Sequence, residues 1–477
     1  MLRRTKILTT LGPATDNPKV LAEMLRVGAD VVRVNFSHGD REAHARRVQM
    51  VREVAEQVGK WVAVLGDLQG PKIRIERFAE GKVMLAEGAA FALDVSLDAR
   101  AGNTAAVGVA YKNLPNDVRA GDTLLLNDGQ LVLEVTGVAG PRIDTRVVVG
   151  GELSDNKGIN KQGGGLSAGA LTDKDRADIK LAAELGVDYL AVSFARDGHD
   201  LEEARTLLRR EGGYGYLVAK IERSEAVVNL DRIIQASDAV MVARGDLGVE
   251  MGYAELTGLQ KHIIAATRKR NRVVITATQM MESMIHNPVP TRAEVSDVAN
   301  AVMDGTDAVM LSGESAVGKY PVKAVEAMAQ VILGAEKYES SHSPVRHRSD
   351  GGLFEKTDEA IAMAVMYTAN HLKVTAIVAL TESGSTPLWM SRIRADIPIY
   401  AFTRHEITRR RVMLYRGVYP VTFDITHTDA QVVYADIFRL LLERGMVESG
   451  DRIILTQGEL SGVSGKTNAM KILEVKV

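Results

Sequence analysis

Three charged residues in otherwise apolar segments are the first candidates for chemistry. Lys220 and Glu222 stand in YLVAKIE (216–222), and because side chains alternate along a strand, both would lie on one side of it. Asp246 follows a second apolar segment, within ARGDLG (243–248), whose glycines would let backbone amides approach an anion. Two carboxylates without a His or Cys cluster predict Mg²⁺ or Mn²⁺ rather than zinc. The alternatives are an edge strand with two solvated charges and a glycine turn capped by Asp246.

Basic residues at other segment ends would suit phosphate groups. Arg33 lies in the apolar segment VVRVNF (31–36), and a guanidinium can bind phosphate through two hydrogen bonds at once. Lys72 and Arg74 open a β-rich stretch, and Lys157 lies near its end. Basic residues at both ends of such an insertion fit a polyphosphate ligand, although a solvated hinge would explain them equally well.

Hydroxyl groups cluster after several predicted strands. Thr278 and Ser312 each follow an apolar segment, and taken singly such residues are more often turn or cap residues. In the last quarter of the chain, TESGST (381–386) stands between a predicted strand and a predicted helix. A hydroxyl-rich glycine turn at a helix N-terminus predicts a phosphate-binding loop.

Alternating strands and amphipathic helices must position these residues, which indicates a parallel sheet. Eight strands are predicted: Lys6–Leu11, Val31–Phe36, Trp61–Leu65, Tyr189–Phe194, Tyr216–Ile221, Ala239–Ala243, Val273–Thr278 and Ala308–Leu311. Because almost every one ends in a polar or glycine cluster, we expect a closed (β/α)₈ barrel with its site at the carboxyl ends of the strands. A doubly wound open sheet would give a similar local pattern but would concentrate function at one switch point.

Two further units complete the predicted architecture. Residues 70–166 read as an inserted small β-domain, with Asp128-Gly129 as a hairpin turn, and an insertion near the barrel mouth suggests a lid. The barrel would then comprise 1–69 and 167–338. The polar stretch 337–352 is interpreted as a linker to a smaller α/β domain at 345–477.

Composition excludes several classes of protein. The 477 residues carry a formal net charge of −2 and only 5% aromatic residues, which argues against nucleic-acid or membrane-surface binding. There is no cysteine, so disulfides, thiolate metal sites and cysteine nucleophiles are excluded. No apolar run is long enough for a signal peptide or a membrane span, and we therefore expect a cytoplasmic location.

Six ordered motifs resemble the pyruvate kinase family along almost the whole chain: RVNFSHG (33–39), KIE (220–222), ARGDLG (243–248), TATQMMESM (276–284), PTRAEVSD (290–297) and MLSGE (310–314). The resemblance implies a TIM barrel, an inserted β-barrel lid, a C-terminal effector domain and a homotetramer. It also implies transfer of the phosphoryl group of phosphoenolpyruvate to ADP in glycolysis, giving pyruvate and ATP.

The resemblance assigns roles to individual residues. Lys220 would neutralise charge on the transferring group, and Glu222 and Asp246 would hold Mg²⁺ or Mn²⁺. The remaining implied roles are substrate-carboxylate binding by the amides of Gly245 and Asp246, phosphoryl binding by Arg33, substrate contact and proton delivery near Thr278 and Ser312, and nucleotide-phosphate binding by Arg74 and Lys157.

Two departures from the family pattern concern ions and effectors. Potassium-requiring members bind K⁺ through positions matching Asn35, Ser37, Asp67 and the Leu68 carbonyl, with a Glu where this chain has Lys72. Because the Lys72 ammonium can stand in for the cation, K⁺ is possible here but is predicted not to be required. Glu382 would repel a second phosphate, which favours a sugar monophosphate or a nucleotide monophosphate at the effector loop formed by Thr381, Ser383, Gly384, Ser385 and Thr386.

Two other functions remain open on the residues alone. One is a barrel aldolase or lyase that handles an enolpyruvate through Mg²⁺ and lacks a nucleotide-binding lid. The other is a non-catalytic phosphosugar-binding regulator, which should have lost Lys220 or a metal carboxylate, whereas this chain keeps all three residues.

Overall fold

Strands and helices alternate at the start of the chain, as the hydrophobic pattern predicts. The computed structural model describes residues 2–342, 354, 356–393, 395–425, 427, 429–458 and 467–476. Its first elements are β1 (Lys6–Thr10), α1 (Pro18–Val27), β2 (Val31–Asn35), α2 (Arg41–Gln57) and β3 (Ala63–Asp67). Both helices begin at an N-cap residue. The side chain of Asn17 accepts a hydrogen bond from the Lys19 amide, and that of Asp40 accepts one from the Ala43 amide.

The inserted unit is built almost entirely from strands. Its elements are β4 (Lys82–Leu85), β5 (Ala90–Asp94), β6 (Ala106–Gly108), α3 (Leu114–Asp117), β7 (Thr123–Leu126), β8 (Leu131–Ala139), β9 (Arg142–Val149), β10 (Gly151–Ser154) and β11 (Ile159–Lys161). A six-stranded sheet, β11-β7-β8-β9-β5-β6, and a two-stranded sheet, β10-β4, enclose one apolar core. The predicted hairpin joins β7 to β8, with both Asn127 and Asp128 at positive φ.

The chain then returns to strand–helix alternation. The elements are α4 (Asp173–Glu184), β12 (Tyr189–Val192), α5 (Gly198–Arg210), β13 (Tyr216–Ile221), α6 (Ser224–Val228), α7 (Leu230–Ala236), β14 (Ala239–Ala243), α8 (Arg244–Met251), α9 (Tyr253–Lys269), β15 (Val273–Ala277), α10 (Arg292–Asp304), β16 (Ala308–Leu311), α11 (Gly313–Ala316) and α12 (Pro321–His342). The eight parallel strands close in the order β1-β16-β15-β14-β13-β12-β3-β2, which confirms the predicted barrel.

A smaller α/β unit follows. It contains α13 (Thr357–His371), β17 (Ala376–Leu380), α14 (Ser385–Ser391), β18 (Ile399–Thr403), α15 (Glu406–Arg411), β19 (Val418–Thr422), α16 (Ala430–Glu443), β20 (Arg452–Gly458) and β21 (Thr467–Glu474). Its sheet has the order β19-β18-β17-β20-β21, with only the β20–β21 pair antiparallel. None of the helices that the structure describes is long and apolar enough to span a bilayer.

The C-terminal unit covers the amino ends of the barrel strands. Apolar residues of the barrel interior and of this unit form one continuous buried cluster, in which Tyr189 donates its hydroxyl hydrogen to the Arg411 carbonyl at 2.6 Å. Charged contacts surround the cluster: Arg392 donates to Asp307 at 2.9 Å, and Arg410 lies 2.9 Å from Asp188. The floor of the barrel is therefore a domain interface rather than a solvent surface.

Several predicted boundaries are wrong, and the fourth strand, for example, ends at Val192 rather than at Phe194. The third strand runs from Ala63 to Asp67 rather than from Trp61 to Leu65, because Gly66 and Asp67 continue the ladder opposite Val34 and Asn35. The stretch 337–352 is not a linker up to His342, since α12 continues to that residue; 343–352 lie outside the described residues. The serines there accommodate the helix by donating to carbonyls four residues earlier, as Ser340 does to Glu336.

The Arg392–Asp307 pair predicts a large stability effect. The Arg392 side chain is 4% exposed and that of Asp307 is completely buried. Replacing Arg392 with Leu would leave a buried carboxylate without its counter-charge, and we expect a loss of about 3 kcal/mol in the free energy of unfolding, measured by urea denaturation.

The double variant R392L/D307N should recover part of this loss, because the uncompensated charge is gone. The control is R26L, which breaks an ion pair whose side chains are 59% and 58% exposed and should change stability by less than about 0.5 kcal/mol. Equal effects of R392L and R26L would contradict the prediction.

Candidate active site

Lys220 lies at the centre of a group of polar side chains at the carboxyl ends of the barrel strands. Its Nζ is 2.9 Å from Glu222 Oε1 and 3.4 Å from Asp67 Oδ1, and it donates to Ser193 Oγ at 2.7 Å. The side chain is 11% exposed. The predicted placement of Lys220 and Glu222 on one side of their strand is confirmed by this contact, because only side chains two apart on one face can meet so closely.

Electrostatics keep this group charged. Burial by itself lowers the pKa of Lys220, but the charges of Asp67 and Glu222 outweigh it and raise that pKa above its usual value. Burial likewise opposes ionisation of Asp67, yet Lys220 and Arg33 together lower the pKa of this carboxyl. The site therefore holds an ammonium and a carboxylate across the whole neutral pH range.

Arg33 shares Asp67 with Lys220. Its Nε lies 2.6 Å from Asp67 Oδ2, and its Nη1 donates to Thr10 Oγ1 at 3.2 Å. Asp67 thus holds two cationic side chains beside each other, although their strands, β2 and β13, are separated in the barrel by β3 and β12. A guanidinium and an ammonium that lie close together provide several charged donors, which suit the oxygens of a phosphoryl group.

Glu222 and Asp246, the two predicted metal ligands, are close enough for their charges to influence each other. Burial raises the pKa of Glu222 and the charge of Asp246 raises it further, while Lys220 lowers it. Glu222 Oε2 accepts a hydrogen bond from the Phe194 amide at 2.8 Å, and Asp246 Oδ1 lies 3.1 Å from Lys72 Nζ. A divalent cation would relieve the repulsion between the two carboxylates, and their oxygen donors fit Mg²⁺ or Mn²⁺. Within the described part of the chain, no group of three or more His, Cys, Asp or Glu residues forms an alternative metal site.

Thr278 occupies a turn that is unfavourable for its residue type. Its φ is 68° and that of Gln279 is 51°, a region that costs a non-glycine residue about 1–2 kcal/mol. The Thr278 hydroxyl accepts a hydrogen bond from the Gly245 amide at 2.9 Å and donates one to the Ala277 carbonyl at 2.7 Å. Thr278 and Gly245, both predicted substrate contacts, are therefore adjacent.

Arg244 also lies at the candidate site, although the sequence analysis assigned it no role. Its guanidinium donates to the Ala277 carbonyl at 3.2 Å and to the Thr278 carbonyl at 2.7 Å, and it pairs with Asp297 at 2.7 Å. These bonds hold the turn around Thr278 in place. Its position within ARGDLG was visible in the sequence, but its carbonyl partners are set only by the fold.

Glu314 is a second residue that was missed. Its side chain is completely buried, and its two carboxylate oxygens accept hydrogen bonds from the Met281 amide at 3.0 Å and the Ser312 amide at 2.7 Å. The carboxylate thereby joins the loops that follow β15 and β16. Ser312 lies at this junction, at the start of α11.

The predicted monovalent-cation ligands lie near one another, but their oxygens have protein partners. Asn35 Oδ1 accepts a hydrogen bond from the Ser37 amide at 3.1 Å, and the Leu68 carbonyl accepts one from the Ser193 hydroxyl at 2.7 Å. Asp67 is occupied by Arg33 and Lys220, as described above. Lys72 contacts Asp246 and Asp128. Its ammonium therefore sits beside the predicted divalent-metal carboxylate.

The two predicted nucleotide-binding residues belong to neighbouring segments. The Arg74 Nη1 donates to the Asn156 carbonyl at 2.9 Å, and the Ile75 amide donates to the Lys157 carbonyl at 2.9 Å. Arg74 also forms an antiparallel bridge with Gly158. The start and the end of the inserted unit are thus paired directly, which brings both basic residues to one place.

Two hydroxyl groups of the predicted effector loop already form hydrogen bonds within the protein. The Thr381 hydroxyl accepts a hydrogen bond from the Gly384 amide at 2.9 Å, and Thr386 is 1% exposed and bonded to Thr467 at 2.7 Å. Ser383 and Ser385 are partly exposed. Glu382 is not isolated, because it pairs with His405 and lies 3.6 Å from Arg404. These two basic residues were not predicted.

Comparisons with known proteins agree with this geometry. The pyruvate kinase barrel-domain model matches residues 2–325, and the pyruvate kinase alpha/beta-domain model matches residues 359–473. Pyruvate kinase II of Salmonella typhimurium is 57% identical over 100% of this chain and 99% of its own length. A pyruvate kinase of Haemophilus influenzae is 52% identical, with the same coverage of both chains.

A solved structure shows the same likeness. The crystal structure of a pyruvate kinase from Cryptosporidium parvum has a TM-score of 0.90 and 33% identity, covering 99% of this chain and 96% of that one. The match spans the barrel, the inserted unit and the C-terminal unit together. The chain belongs to the pyruvate kinase family and is a phosphotransferase.

Proposed function

We propose that this enzyme transfers the phosphoryl group of phosphoenolpyruvate to ADP in glycolysis, giving pyruvate and ATP. One observation carries the proposal: the Lys220 ammonium is held by Asp67, Glu222 and Ser193 beside Arg33. In the reaction the bond between the phosphorus and the enol oxygen breaks, and a bond to a terminal oxygen of ADP forms. The enolate that remains then takes up a proton at its methylene carbon.

The residues of this chain divide that work. Arg33 and Lys220 would bind the phosphoryl oxygens and stabilise the charge that develops during transfer. The amides of Gly245 and Asp246 would bind the substrate carboxylate. Thr278 and Ser312 would lie along the path of the proton.

Glu222 and Asp246 are the residues that would hold a divalent cation. When bound there, Mg²⁺ or Mn²⁺ supplies charge neutralisation for the enolate and phosphoryl oxygens. On the nucleotide side, Arg74 and Lys157 would bind the phosphates of ADP or ATP as the inserted domain, 70–166, closes over the barrel.

Regulation and assembly complete the proposal. The loop formed by Thr381, Ser383, Gly384, Ser385 and Thr386, in the domain at 345–477, would bind a phosphorylated small molecule. Arg404 beside Glu382 provides positive charge there, which supports an anionic effector such as a sugar monophosphate or a nucleotide monophosphate. We further propose a cytoplasmic homotetramer that binds neither nucleic acid nor membranes.

Replacing Lys220 with Met tests the central assignment. Removal of the ammonium should lower kcat by about 100-fold or more, as for other groups that stabilise a transition-state charge. The measurement is initial pyruvate formation from phosphoenolpyruvate, ADP and Mg²⁺. The matched control is K82M, in which the same substitution removes an exposed lysine from its pair with Glu152.

Folding must be checked alongside, since K220M removes the cation that pairs with the buried Glu222 and leaves Asp67 with Arg33 alone. The variant K220R keeps the charge but displaces it, and a fall in kcat with an unchanged thermal midpoint would support a catalytic role. Full activity of folded K220M would refute the assignment.

Lys72 predicts that K⁺ is not required. The wild-type enzyme should be active in a buffer free of K⁺ and NH₄⁺, because the Lys72 ammonium already places a fixed positive charge beside Asp246. The variant K72E should be inactive in that buffer and should recover when K⁺ is added. Wild-type activity that appears only after K⁺ addition would overturn this explanation while leaving the phosphoryl-transfer function intact.

A further inference from the structure

Three consecutive glycines form the second connection between the inserted domain and the barrel. Gly163, Gly164 and Gly165 all have positive φ, at 78°, 80° and 91°. Only glycine adopts such a succession without strain. This triglycine hinge directly follows β11 and precedes the chain's return to the barrel.

The barrel segment 223–225, which directly follows the catalytic KIE motif, forms hydrogen bonds to this hinge and to the residue after it. The Glu225 carboxylate accepts a hydrogen bond from the Gly165 amide at 2.6 Å, and the Ser224 hydroxyl donates to the Gly163 carbonyl at 3.1 Å. The buried Arg223 guanidinium donates to the Leu166 carbonyl at 2.5 Å.

Contact at Gly164 is especially close. A methyl group at this position would lie 1.8 Å from the Ser224 hydroxyl oxygen. Residue 164 must therefore lack a side chain for two reasons: its positive φ and its close contact with Ser224.

Glu250, near the end of α8, connects both Ser224 and the hinge to a second element of the barrel. Its carboxylate accepts a hydrogen bond from the Ser224 amide at 3.0 Å, and its backbone carbonyl accepts one from the Gly163 amide at 3.1 Å. The side chain is 3% exposed. Burial, assisted by the charge of Glu225 and opposed by Arg223, raises the pKa of Glu250 to about 7.

We propose that Arg223, Ser224, Glu225 and Glu250 form a clasp on the triglycine hinge that sets the angle of the inserted domain over the active site. These are positioning residues, and the proposal rests on the proposed role of the inserted domain in nucleotide binding. Since Arg223 adjoins Glu222, the clasp links the orientation of the lid to the strand that carries Lys220 within a few residues of chain.

The variant G164A tests the clasp. Its methyl group would push against Ser224, displace the inserted domain and weaken the contacts of Arg74 and Lys157 with the nucleotide. We expect KM for ADP to rise about tenfold, the equivalent of one charge-assisted hydrogen bond, with kcat changed by less than about twofold.

Two further variants separate the clasp from a general effect of alanine on the backbone. Gly81 lies in the same domain with a φ of 77°, and a methyl group added there would have no atom within 4 Å. The variant G81A therefore imposes the backbone strain without the collision. The double variant G164A/S224A removes the colliding hydroxyl and should restore KM in part, because the same change also removes the Ser224 bond to the Gly163 carbonyl. Equal effects of G164A and G81A, or no rescue by S224A, would overturn the proposal.

Hydrogen exchange of peptides covering 161–166 provides a readout that does not depend on activity. G164A should speed exchange there, and unchanged exchange would refute the clasp even in an active enzyme. Should G164A fail to fold, E225Q replaces it, since it weakens the bond to the Gly165 amide without adding volume. Absence of phosphoryl transfer in the wild-type enzyme would refute the proposed function alone, because the exchange measurement would still test the clasp.

Glu250 predicts a pH dependence of the clasp. Because its pKa rises from 4.5 to about 7 in the clasped state, that state is most favoured below pH 4.5 and weakens as the pH rises to about 7. The charged groups that face it are Arg223 and Glu225. Lys72 lines the same pocket as Arg223 and Glu250.

Exchange at 161–166, corrected for the intrinsic rate, should therefore increase between pH 5.5 and 7.5 in the wild-type enzyme and stay constant in E250Q. A wild-type profile as flat as that of E250Q would contradict this dependence.

Discussion

The active site depends on one buried ammonium group. Lys220 is almost fully enclosed, and an enclosed charge is tolerated only where opposite charges and hydrogen-bond acceptors surround it. Asp67, Ser193 and Glu222 meet that requirement from β3, from the loop after β12 and from the end of β13. Pairing of β12 with both β3 and β13 brings these three chain segments together, so the chemistry and the topology have the same origin.

The two carboxylates that neutralise the charge of Lys220 also contact other groups of the site. Asp67 is shared between Lys220 and Arg33, and Glu222 is shared between Lys220 and the Phe194 amide. Each carboxylate therefore positions a second group in addition to neutralising the lysine. The proposed phosphoryl-binding groups, Arg33 and Lys220, therefore directly adjoin Glu222, a proposed ligand of the divalent cation.

Local pattern was sufficient to predict much of this arrangement. The strand alternation of Lys220 and Glu222, the eight-strand barrel and the hairpin at Asp128-Gly129 all follow from short-range periodicity and turn chemistry. β3 was placed two residues early because its polar end, Gly66-Asp67, looks like a loop, whereas pairing with β2 makes it strand.

The residues that were missed act through partners distant in sequence. Arg244 and Glu314 bind backbone groups of other loops, and such partners leave no periodic signal. The sequence predicts that Glu382 would repel a second phosphate, whereas the fold places Arg404 and His405 beside it. The sequence shows the charge of such a residue, but only the tertiary structure shows what neutralises it.

The two accessory domains differ in how far their apolar cores depend on the barrel. The inserted domain has a core of its own, whereas the C-terminal domain shares one with the barrel interior through residues such as Tyr189. Exchange of the inserted domain for another small domain would leave the barrel core intact. Deletion of the C-terminal domain would open the barrel floor to water, so these two parts of the molecule can diverge only together, each constrained by the packing of the other.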